Sequence, residues 1–233
     1  IPHAVGWSWA AKRKGDDLVG VVHFGDGATS EGYFHEAMNF AGVFDTPTLF
    51  VCNNNQWAIS VPRERQTASE TIAQKAAAYG FDGVQVDGMD PLATYVVTKA
   101  ARERAVDPPD GTPRPVLLEA VQYRFGAHTT ADDPDVYRDE DEVERWRERD
   151  PLTRFEAFLR DRGLLDDDRL DAMDAEIADT LSAIVDRAEE YAPDPTDLFA
   201  DVYAESTPNV DAQRESFEAL RDRHGDDALL DDG

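Results

Sequence analysis

The chain has 233 residues, a formal net charge of −26 and a single cysteine, Cys52. This length can bury a sizeable core in one or two domains, and so acidic a surface argues against binding of nucleic acid or acidic membranes. One cysteine excludes an intrachain disulfide, and no apolar run approaches the ~20 residues of a membrane span, so we expect a cytoplasmic protein without a signal peptide.

The acid is mostly aspartate. The chain has 32 Asp and 17 Glu but only four lysines, and the carboxylates are spread along its whole length. Dissolved cations screen the repulsion among such charges, so this composition indicates adaptation to high salt. An ordinary acidic cytosolic protein is the alternative.

A salt titration tests the halophilic interpretation. We expect a higher thermal midpoint in molar KCl than in dilute buffer, because screening relieves the self-repulsion of the folded chain. Circular dichroism melts in the two buffers measure the difference, with an uncharged osmolyte at matched osmolality as the control. Equal midpoints in the two buffers would contradict the interpretation.

The first elements predicted along the chain form a βαβ unit. A helix over residues 4–14, ended by Gly15, precedes a strand at 18–22, a helix at 31–44 and a strand at 48–51. Strand, helix and strand in this order form one right-handed unit with two parallel strands.

The rest of the chain continues the alternation and then becomes helical. The pattern predicts a loop at 61–69, a helical stretch at 71–79, a strand at 84–87, a helix at 91–105, a loop at 107–114 and a strand at 116–122. Helices follow at 140–149, 151–162 and 169–190. The predicted fold class is therefore α/β, a mostly parallel sheet flanked by helices, with a C-terminal helical extension.

The predicted organisation has three parts. Residues 1–138 form the α/β domain, residues 139–210 a helical segment, and residues 211–233 a polar tail. We expect this tail to be disordered, because it offers too little apolar surface to offset the entropy of ordering.

Polar residues follow both strands of the βαβ unit. Asp26 follows the first strand, within Phe24-Gly25-Asp26-Gly27, and Asn55 ends the run Cys52-Asn53-Asn54-Asn55, 29 positions later. Parallel neighbours lie about 4.8 Å apart, so Asp26 and Asn55 should meet at one edge of the sheet. A carboxylate and an amide oxygen suit Mg²⁺ better than zinc or copper.

The same positions suggest what the metal would hold. Gly27 lets a ligand approach the backbone, and Thr29 or Ser30 can cap the next helix, whose amino end attracts anions. Asp26 would repel a diphosphate bound directly to this turn, whereas a bridging Mg²⁺ removes the conflict.

Two other interpretations of these residues exist. A dinucleotide-binding turn is disfavoured, because the glycine spacing misses G-x-G-x-x-G and the acid stands in the wrong place. A plain Asp-Gly turn, with asparagines that merely end a strand, explains either half alone.

Four segments in order extend the two halves: GDGATSEG at 25–32, NQWAIS at 55–60, VDGMDP at 86–91 and YRFGAHT at 123–129. Gly25-Asp26-Gly27 followed by Asn54-Asn55 resembles the thiamine diphosphate motif. From Ile1 to about Val210 the chain resembles the alpha subunit of the decarboxylating component of 2-oxo acid dehydrogenase complexes, of the pyruvate or branched-chain type. The resemblance implies the thiamine diphosphate-binding fold, with an upstream part of the usual subunit missing from this sequence.

The resemblance implies roles for residues of the first two segments. Asp26 and Asn55 match the side-chain Mg²⁺ ligands, and Trp57 stands where the family has Tyr or Phe and binds the metal through its backbone carbonyl. A backbone ligand tolerates that change. Gly27 and Ala28 match the backbone contacts to the diphosphate.

Further cofactor contacts are implied at two positions. Asn53 stands where some branched-chain enzymes carry a phosphate-binding arginine and others an amide. His128 matches a histidine that faces both the diphosphate and the reacting centre, so we expect it to bind the cofactor and to take part in catalysis. Thr129 stands where some relatives carry a phosphoserine, although a plain loop threonine is the simpler interpretation. Arg124 and Arg138 either order this loop or form surface ion pairs.

The implied function is oxidative decarboxylation of a 2-oxo acid, with thiamine diphosphate and Mg²⁺ as cofactors and acyl transfer to a lipoyl group. The implied partners are a beta subunit in an α₂β₂ heterotetramer and the lipoyl-bearing acyltransferase core. The glutamate that activates the cofactor belongs to the beta subunit, so neither Glu31 nor Glu36 is assigned that role. Three alternatives remain: an acetoin dehydrogenase alpha subunit, a Mg²⁺-dependent phosphate-binding module, and an inactive remnant.

Overall fold

The structure is a computed structural model that describes residues 1–226. The last part of the predicted disordered tail, residues 227–233, lies outside them. The chain forms two compact units, Ile1–Leu165 and a second that begins at Asp166.

The first unit contains the sheet and most of the helices. Its elements are α1 (Pro2–Lys14), β1 (Gly20–Gly25), α2 (Gly32–Phe44), β2 (Thr48–Asn54), β3 (Trp57–Ala58), β4 (Val61–Pro62), β5 (Asp82–Asp87), α3 (Pro91–Val106), β6 (Val116–Val121), α4 (Glu140–Arg147) and α5 (Pro151–Asp161). Short 3₁₀ helices cover Asp26–Ser30, Arg63–Arg65, Ala73–Tyr79 and Pro134–Val136.

The four long strands form one parallel sheet in the order β1-β2-β6-β5. Gly25 pairs with Asn53, and Asn53 pairs with Ala120, so β1, β2 and β6 end at the same edge. This edge carries the turn after β1, the asparagine run and the segment after β6. The predicted α/β class with a mostly parallel sheet is confirmed, and β1, α2 and β2 form the predicted βαβ unit.

Helices cover both faces of the sheet, so β2 and β6 are almost continuously buried. Alternate residues of β2 face opposite sides. One buried cluster joins α2 to the sheet and includes Phe34, Met38, Ala41, Phe50 and Cys52. The other joins α3 to the sheet and includes Leu49, Val51, Ala101 and Ala105. Because successive side chains of a strand point to opposite faces, β2 packs against the helices on both sides of the sheet.

The second unit consists of α6 (Asp167–Glu189), a 3₁₀ helix (Pro195–Phe199) and α7 (Pro208–His224). Disorder was predicted from residue 211, but α7 is helical up to His224. The Thr207 hydroxyl accepts a hydrogen bond from the Val210 N–H at 3.4 Å, and a proline follows this cap. The ring centroids of Phe199 and Phe217 lie 5.6 Å apart. Composition alone predicted disorder, whereas the cap and this contact stabilise a helix.

The contact units divide the chain differently from the predicted domains. α4 and α5 group with the sheet, although the sequence placed them in a separate helical segment. The functional division into domains stays a prediction. Among residues 1–226, no helix combines the length and the apolar character that crossing a bilayer would demand.

Candidate cofactor and metal site

Asp26 lies where β1 ends, and it begins the 3₁₀ helix Asp26–Ser30. The residue is 1% exposed. Its Oδ2 accepts a hydrogen bond from Nε2 of Gln66 at 2.9 Å, whereas its Oδ1 is buried and has no hydrogen-bond partner among the described residues. A buried carboxylate oxygen without a partner is costly in a free chain, and a bound cation would satisfy it.

Burial also destabilises the ionised form of the Asp26 carboxyl. Burial raises the pKa of its carboxyl, while the Gln66 amide, the nearby N–H of Asn55 and the charge of Arg124 oppose this rise. The Asn55 N–H donates its hydrogen bond to the Asn53 carbonyl at 2.9 Å. Asp26 and the Asn55 backbone are therefore neighbours at the sheet edge, as the sequence predicted.

Replacing Asp26 with asparagine should stabilise the free protein. A raised pKa in the folded state means that ionisation at neutral pH destabilises the fold, and asparagine removes this charge while it keeps an acceptor for Gln66. We expect the thermal midpoint at pH 8 to rise by about 2–4 °C for each kcal/mol relieved. The advantage should shrink as the pH falls through the raised pKa of Asp26.

Asp45 is the matched control for this prediction. Burial acts on its pKa in the raising direction, but the N–H of Arg114 and the ammonium of Lys12 hold this pKa below its ordinary value. Its charge therefore stabilises the fold, and Asp45→Asn should lower the thermal midpoint at pH 8. A lower midpoint for Asp26→Asn as well would contradict the burial argument.

The three asparagines at the end of β2 have different roles. Asn55 Oδ1 accepts a hydrogen bond from the Trp57 N–H at 3.1 Å, which leaves this oxygen a second lone pair. Asn53 Oδ1 accepts a hydrogen bond from Nε2 of Gln122 at 3.3 Å. The side chain of Asn54 is buried and bonds to Glu119 and Gln56. Asn55 therefore has the acceptor capacity that a metal ligand needs.

Trp57 starts a short hairpin that the sequence did not predict. Trp57 in β3 pairs with Pro62 in β4, and the next pair is joined by a hydrogen bond from the Arg63 N–H to the Gln56 carbonyl at 2.9 Å. Hydrogen-bonded and non-hydrogen-bonded pairs alternate in an antiparallel ladder, so the Trp57 carbonyl points away from β4 and can act as a ligand. Gln56 and Ile59, on either side of it, have φ angles of +72° and +57°.

The left-handed conformation at Ile59 is unusual for a β-branched residue. Arg124 donates from Nη2 to the Ile59 carbonyl at 2.7 Å and helps to hold this conformation. Strain of this kind persists where the surroundings over-determine the backbone. The hairpin therefore gives the Trp57 carbonyl a fixed place.

Gly27 allows the hairpin to contact the turn after β1. A Cβ at Gly27 would lie 2.7 Å from Cβ of Ala58, closer than two carbons can approach. Ala28 is half-buried against the cluster between the sheet and α2. The glycine thus brings the hairpin that carries Trp57 against the turn that carries Asp26.

Neither hydroxyl predicted to cap α2 does so. The Thr29 hydroxyl donates to the Asp26 carbonyl at 2.8 Å, and the Ser30 hydroxyl donates to the Gln66 carbonyl at 3.2 Å. Glu31 occupies the N-cap position without a side-chain hydrogen bond. The prediction was wrong because the 3₁₀ helix, which the sequence pattern did not show, places both hydroxyls before the cap.

His128 lies on an exposed loop after β6. Its N–H donates to Oδ2 of Asp132 at 2.7 Å, and the Tyr137 hydroxyl donates to the same oxygen at 2.8 Å. These hydrogen bonds, first that of the His128 backbone N–H and then that of the Tyr137 hydroxyl, hold the pKa of Asp132 below its ordinary value. Among residues 1–226, no hydrogen bond or ion pair joins His128 to the Asp26 turn.

Among the described contacts, Arg138 binds only backbone carbonyls, whereas Arg124 binds backbone carbonyls and also lies 4.0 Å from Oδ2 of Asp132 in an ion pair. Arg138 donates from Nη2 to the Phe125 carbonyl at 3.0 Å and from Nη1 to the Arg124 carbonyl. Arg124 donates to the Tyr137 hydroxyl at 2.9 Å as well as to Ile59. The interpretation that these arginines order the loop is therefore supported, and the loop of His128 is tied to the hairpin of Trp57.

Sequence reasoning missed two residues that organise this edge. Gln66 lies in a segment predicted only as a polar loop, and its partner Asp26 is 40 positions away. Glu119 is fully buried in β6. A glutamate inside the otherwise apolar strand VLLEAV was the signal that could have indicated it.

The donor set at the edge fits a hard divalent cation. Residues 1–226 contain no group of three or more His, Cys, Asp or Glu side chains placed to share a metal ion. The predicted ligands are instead one carboxylate, one side-chain amide and one backbone carbonyl, all oxygens, as Mg²⁺ prefers. The unsatisfied Oδ1 of Asp26 is the observation of this structure that supports the fit.

In comparisons with known proteins, residues 1–196 match the model of the dehydrogenase E1 component family. The chain is 48% identical over 222 residues to the 3-methyl-2-oxobutanoate dehydrogenase subunit alpha of Mycobacterium tuberculosis (strain H37Rv), which covers 93% of this chain and 58% of that protein. It is 42% identical over 216 residues to the pyruvate dehydrogenase E1 component subunit alpha of Staphylococcus aureus (strain N315), covering 92% and 57%. The chain thus spans less than two thirds of the length of these relatives.

Proposed function

Since this chain belongs to the dehydrogenase E1 component family, we propose that it is the alpha subunit of a thiamine diphosphate-dependent 2-oxo acid dehydrogenase. One observation carries the proposal beyond the family. The buried Asp26 carboxylate has an oxygen without a partner, beside Asn55 and against the hairpin of Trp57. The names of both relatives favour this function over an acetoin dehydrogenase alpha subunit.

Six residues would hold the cofactor through its diphosphate. A carboxylate oxygen of Asp26, Oδ1 of Asn55 and the carbonyl of Trp57 would bind Mg²⁺. The backbone of Gly27 and Ala28 would contact the diphosphate. The charge of Asp26 would then be neutralised, which would remove both its burial cost and its repulsion of the phosphate. Asn53 adds an amide that can donate to phosphate.

The bound thiamine diphosphate supplies the carbanion and electron sink that decarboxylation of a 2-oxo acid requires. The residues of this chain anchor the cofactor, orient it and shield it from water. The asparagine run and the hairpin fix the diphosphate end, and the loop ordered by Arg124 and Arg138 carries His128. His128 would donate a proton or a hydrogen bond where negative charge develops.

The site is completed by a partner in this proposal. The chain supplies metal and diphosphate ligands, and a beta subunit supplies the carboxylate that activates the cofactor, in an α₂β₂ assembly. Exposed apolar side chains on α1 and α2, among them Trp7, Phe40 and Val43, support a covered surface. The acyl group then passes to a lipoyl group on the acyltransferase core, and the substrate is pyruvate or a branched-chain 2-oxo acid.

Mixing the subunits tests this function. The purified chain with thiamine diphosphate and Mg²⁺ should release no CO₂ from a 2-oxo acid, because half a site cannot orient the cofactor. Addition of the beta subunit to the full-length form of this chain should start CO₂ release, and the beta subunit alone is the control. CO₂ release by the purified chain alone would overturn the shared-site proposal.

A cytoplasmic location and adaptation to high salt complete the proposal. Cys52 is a buried free thiol, which suits a reducing compartment. The net charge of −26 supports the adaptation to salt, which the melting experiment in KCl tests.

A further inference from the structure

A buried glutamate lies directly beneath the asparagine run. Glu119 of β6 is 0% exposed, and both of its carboxyl oxygens accept hydrogen bonds. Oε1 accepts from Nδ2 of Asn54 at 2.7 Å, and Oε2 accepts from the N–H of Ala73 at 2.9 Å. Glu119 therefore joins the end of β2 to the start of the 3₁₀ helix Ala73–Tyr79.

Asn54 passes this constraint on to the turn that follows β2. Its Oδ1 accepts from Nε2 of Gln56 at 3.0 Å and from the Gln56 N–H at 3.3 Å. Gln56 has a left-handed φ of +72° and lies between Asn55 and Trp57. A continuous series of hydrogen bonds thus runs from Glu119 through Asn54 to the turn that presents two of the three proposed Mg²⁺ ligands, Asn55 and Trp57.

The choice of a carboxylate at this position is informative. Burial of an ionised side chain is unfavourable, and a well-packed apolar residue would serve stability better. Only a carboxylate offers two acceptors at once, because a glutamine has one acceptor and one donor group. The pair of acceptor oxygens is therefore suited to holding the Asn54 amide in one orientation, with Nδ2 toward Glu119 and Oδ1 toward Gln56.

We propose that Glu119 is a positioning residue for the metal site. Through Asn54 and Gln56 it holds the turn in the shape that presents Oδ1 of Asn55 and the carbonyl of Trp57 to Mg²⁺. This inference rests on the proposed function, because it needs Mg²⁺ at that edge. Residues that orient metal ligands typically change metal affinity by about 10–100-fold when they are altered.

The test is the affinity for Mg²⁺ of the assembled enzyme, measured by calorimetry at a fixed thiamine diphosphate concentration. Glu119→Gln should weaken Mg²⁺ binding about 10–100-fold, because its amide must face one of the two existing donors. Asn54→Asp alone should also weaken binding, because two carboxylates would then face each other.

The double variant reverses the hydrogen bond between the two side chains. In Glu119→Gln with Asn54→Asp, the new amide donates to the aspartate and still accepts from Ala73, while the aspartate still accepts from Gln56. Mg²⁺ affinity should return to within a few-fold of the wild-type value, as a double-mutant cycle for a direct pair requires. Failure of the double variant to regain affinity would overturn the inference.

Thr48→Val is the matched control for loss of stability. Thr48 is buried at the start of β2, whereas Asn54 ends that strand, and the Thr48 hydroxyl forms a hydrogen bond with the Thr46 hydroxyl at 2.8 Å. This variant should lower the thermal midpoint and leave the Mg²⁺ affinity unchanged. A Glu119→Gln enzyme with a lowered midpoint and wild-type Mg²⁺ affinity would show a purely structural role and would sink the proposal.

Two further results would also decide whether Glu119 positions the metal site. If Glu119→Gln does not assemble, Gln56→Ala interrupts the same series at its half-buried end and must weaken Mg²⁺ binding for the proposal to stand. If the wild-type enzyme with its beta subunit binds thiamine diphosphate equally well without Mg²⁺, the proposed metal site fails, and the positioning role fails with it, whereas CO₂ release by that enzyme would still support the proposed function.

Discussion

We expect Asp26→Ala to abolish Mg²⁺-dependent binding of thiamine diphosphate by the assembled enzyme, and CO₂ release with it. Removal of one partner of a buried charge pair costs about 3–5 kcal/mol, so the affinity should fall by at least about 100-fold. Calorimetric titration of the cofactor in the presence of Mg²⁺ measures the loss. Undiminished affinity would exclude the metal bridge through Asp26.

Two controls separate this effect from unfolding and from general loss of charge. Asp82→Ala removes an exposed carboxylate that pairs with Arg104 at 2.6 Å, and it should bind the cofactor normally. Asp26→Asn should be more stable than the wild type and yet bind Mg²⁺ poorly, because its amide group carries no charge. A protein that is more stable and cannot bind the cofactor would show that Asp26 is retained for binding at a cost in stability.

The second large effect is expected at His128. His128→Ala in the mixture with the beta subunit should lower the rate of reductive acylation of the lipoyl group by about 10²–10³-fold, as loss of one charge-stabilising donor does. Cofactor affinity should change only a few-fold, because the metal ligands lie on other segments. Single-turnover acylation and calorimetry together measure the two quantities.

Thr129→Ala is the control for His128. Thr129 is the next residue of the same exposed loop, so its loss disturbs the backbone to a similar degree without removal of the imidazole. We expect an acylation rate near that of the wild type. Equal losses in both variants would mean that the loop, and not the imidazole, is what matters.

Asp26 and His128 should thus separate binding from reaction rate. Asp26 lies on the turn after β1, within a buried edge, whereas His128 lies on a loop held by contacts to backbone carbonyls. Loss of cofactor affinity in Asp26→Ala, together with a slower acylation rate and nearly unchanged affinity in His128→Ala, would assign each segment to one function.

Much of the fold could be predicted because its determinants are local. The strand period of two, the apolar runs of β1 and β2 and the helix between them predict a parallel βαβ unit, and the register Gly25 to Asn53 confirms it. Local signals also have limits. The polar composition after residue 211 predicted disorder, although the cap at Thr207 and the contact between Phe199 and Phe217 stabilise α7.

The sequence by itself determined that Asp26 and Asn55 would meet, since parallel strands end at one edge of a sheet and the residue after each strand is known. Only the tertiary structure decided how that edge is held. Gln66 bonds to Asp26 from 40 positions away, and Glu119 bonds to Asn54 from 65 positions away. No local pattern carries such pairings, because they arise when the hairpin, the 3₁₀ helices and β6 pack together and their buried polar groups must find partners.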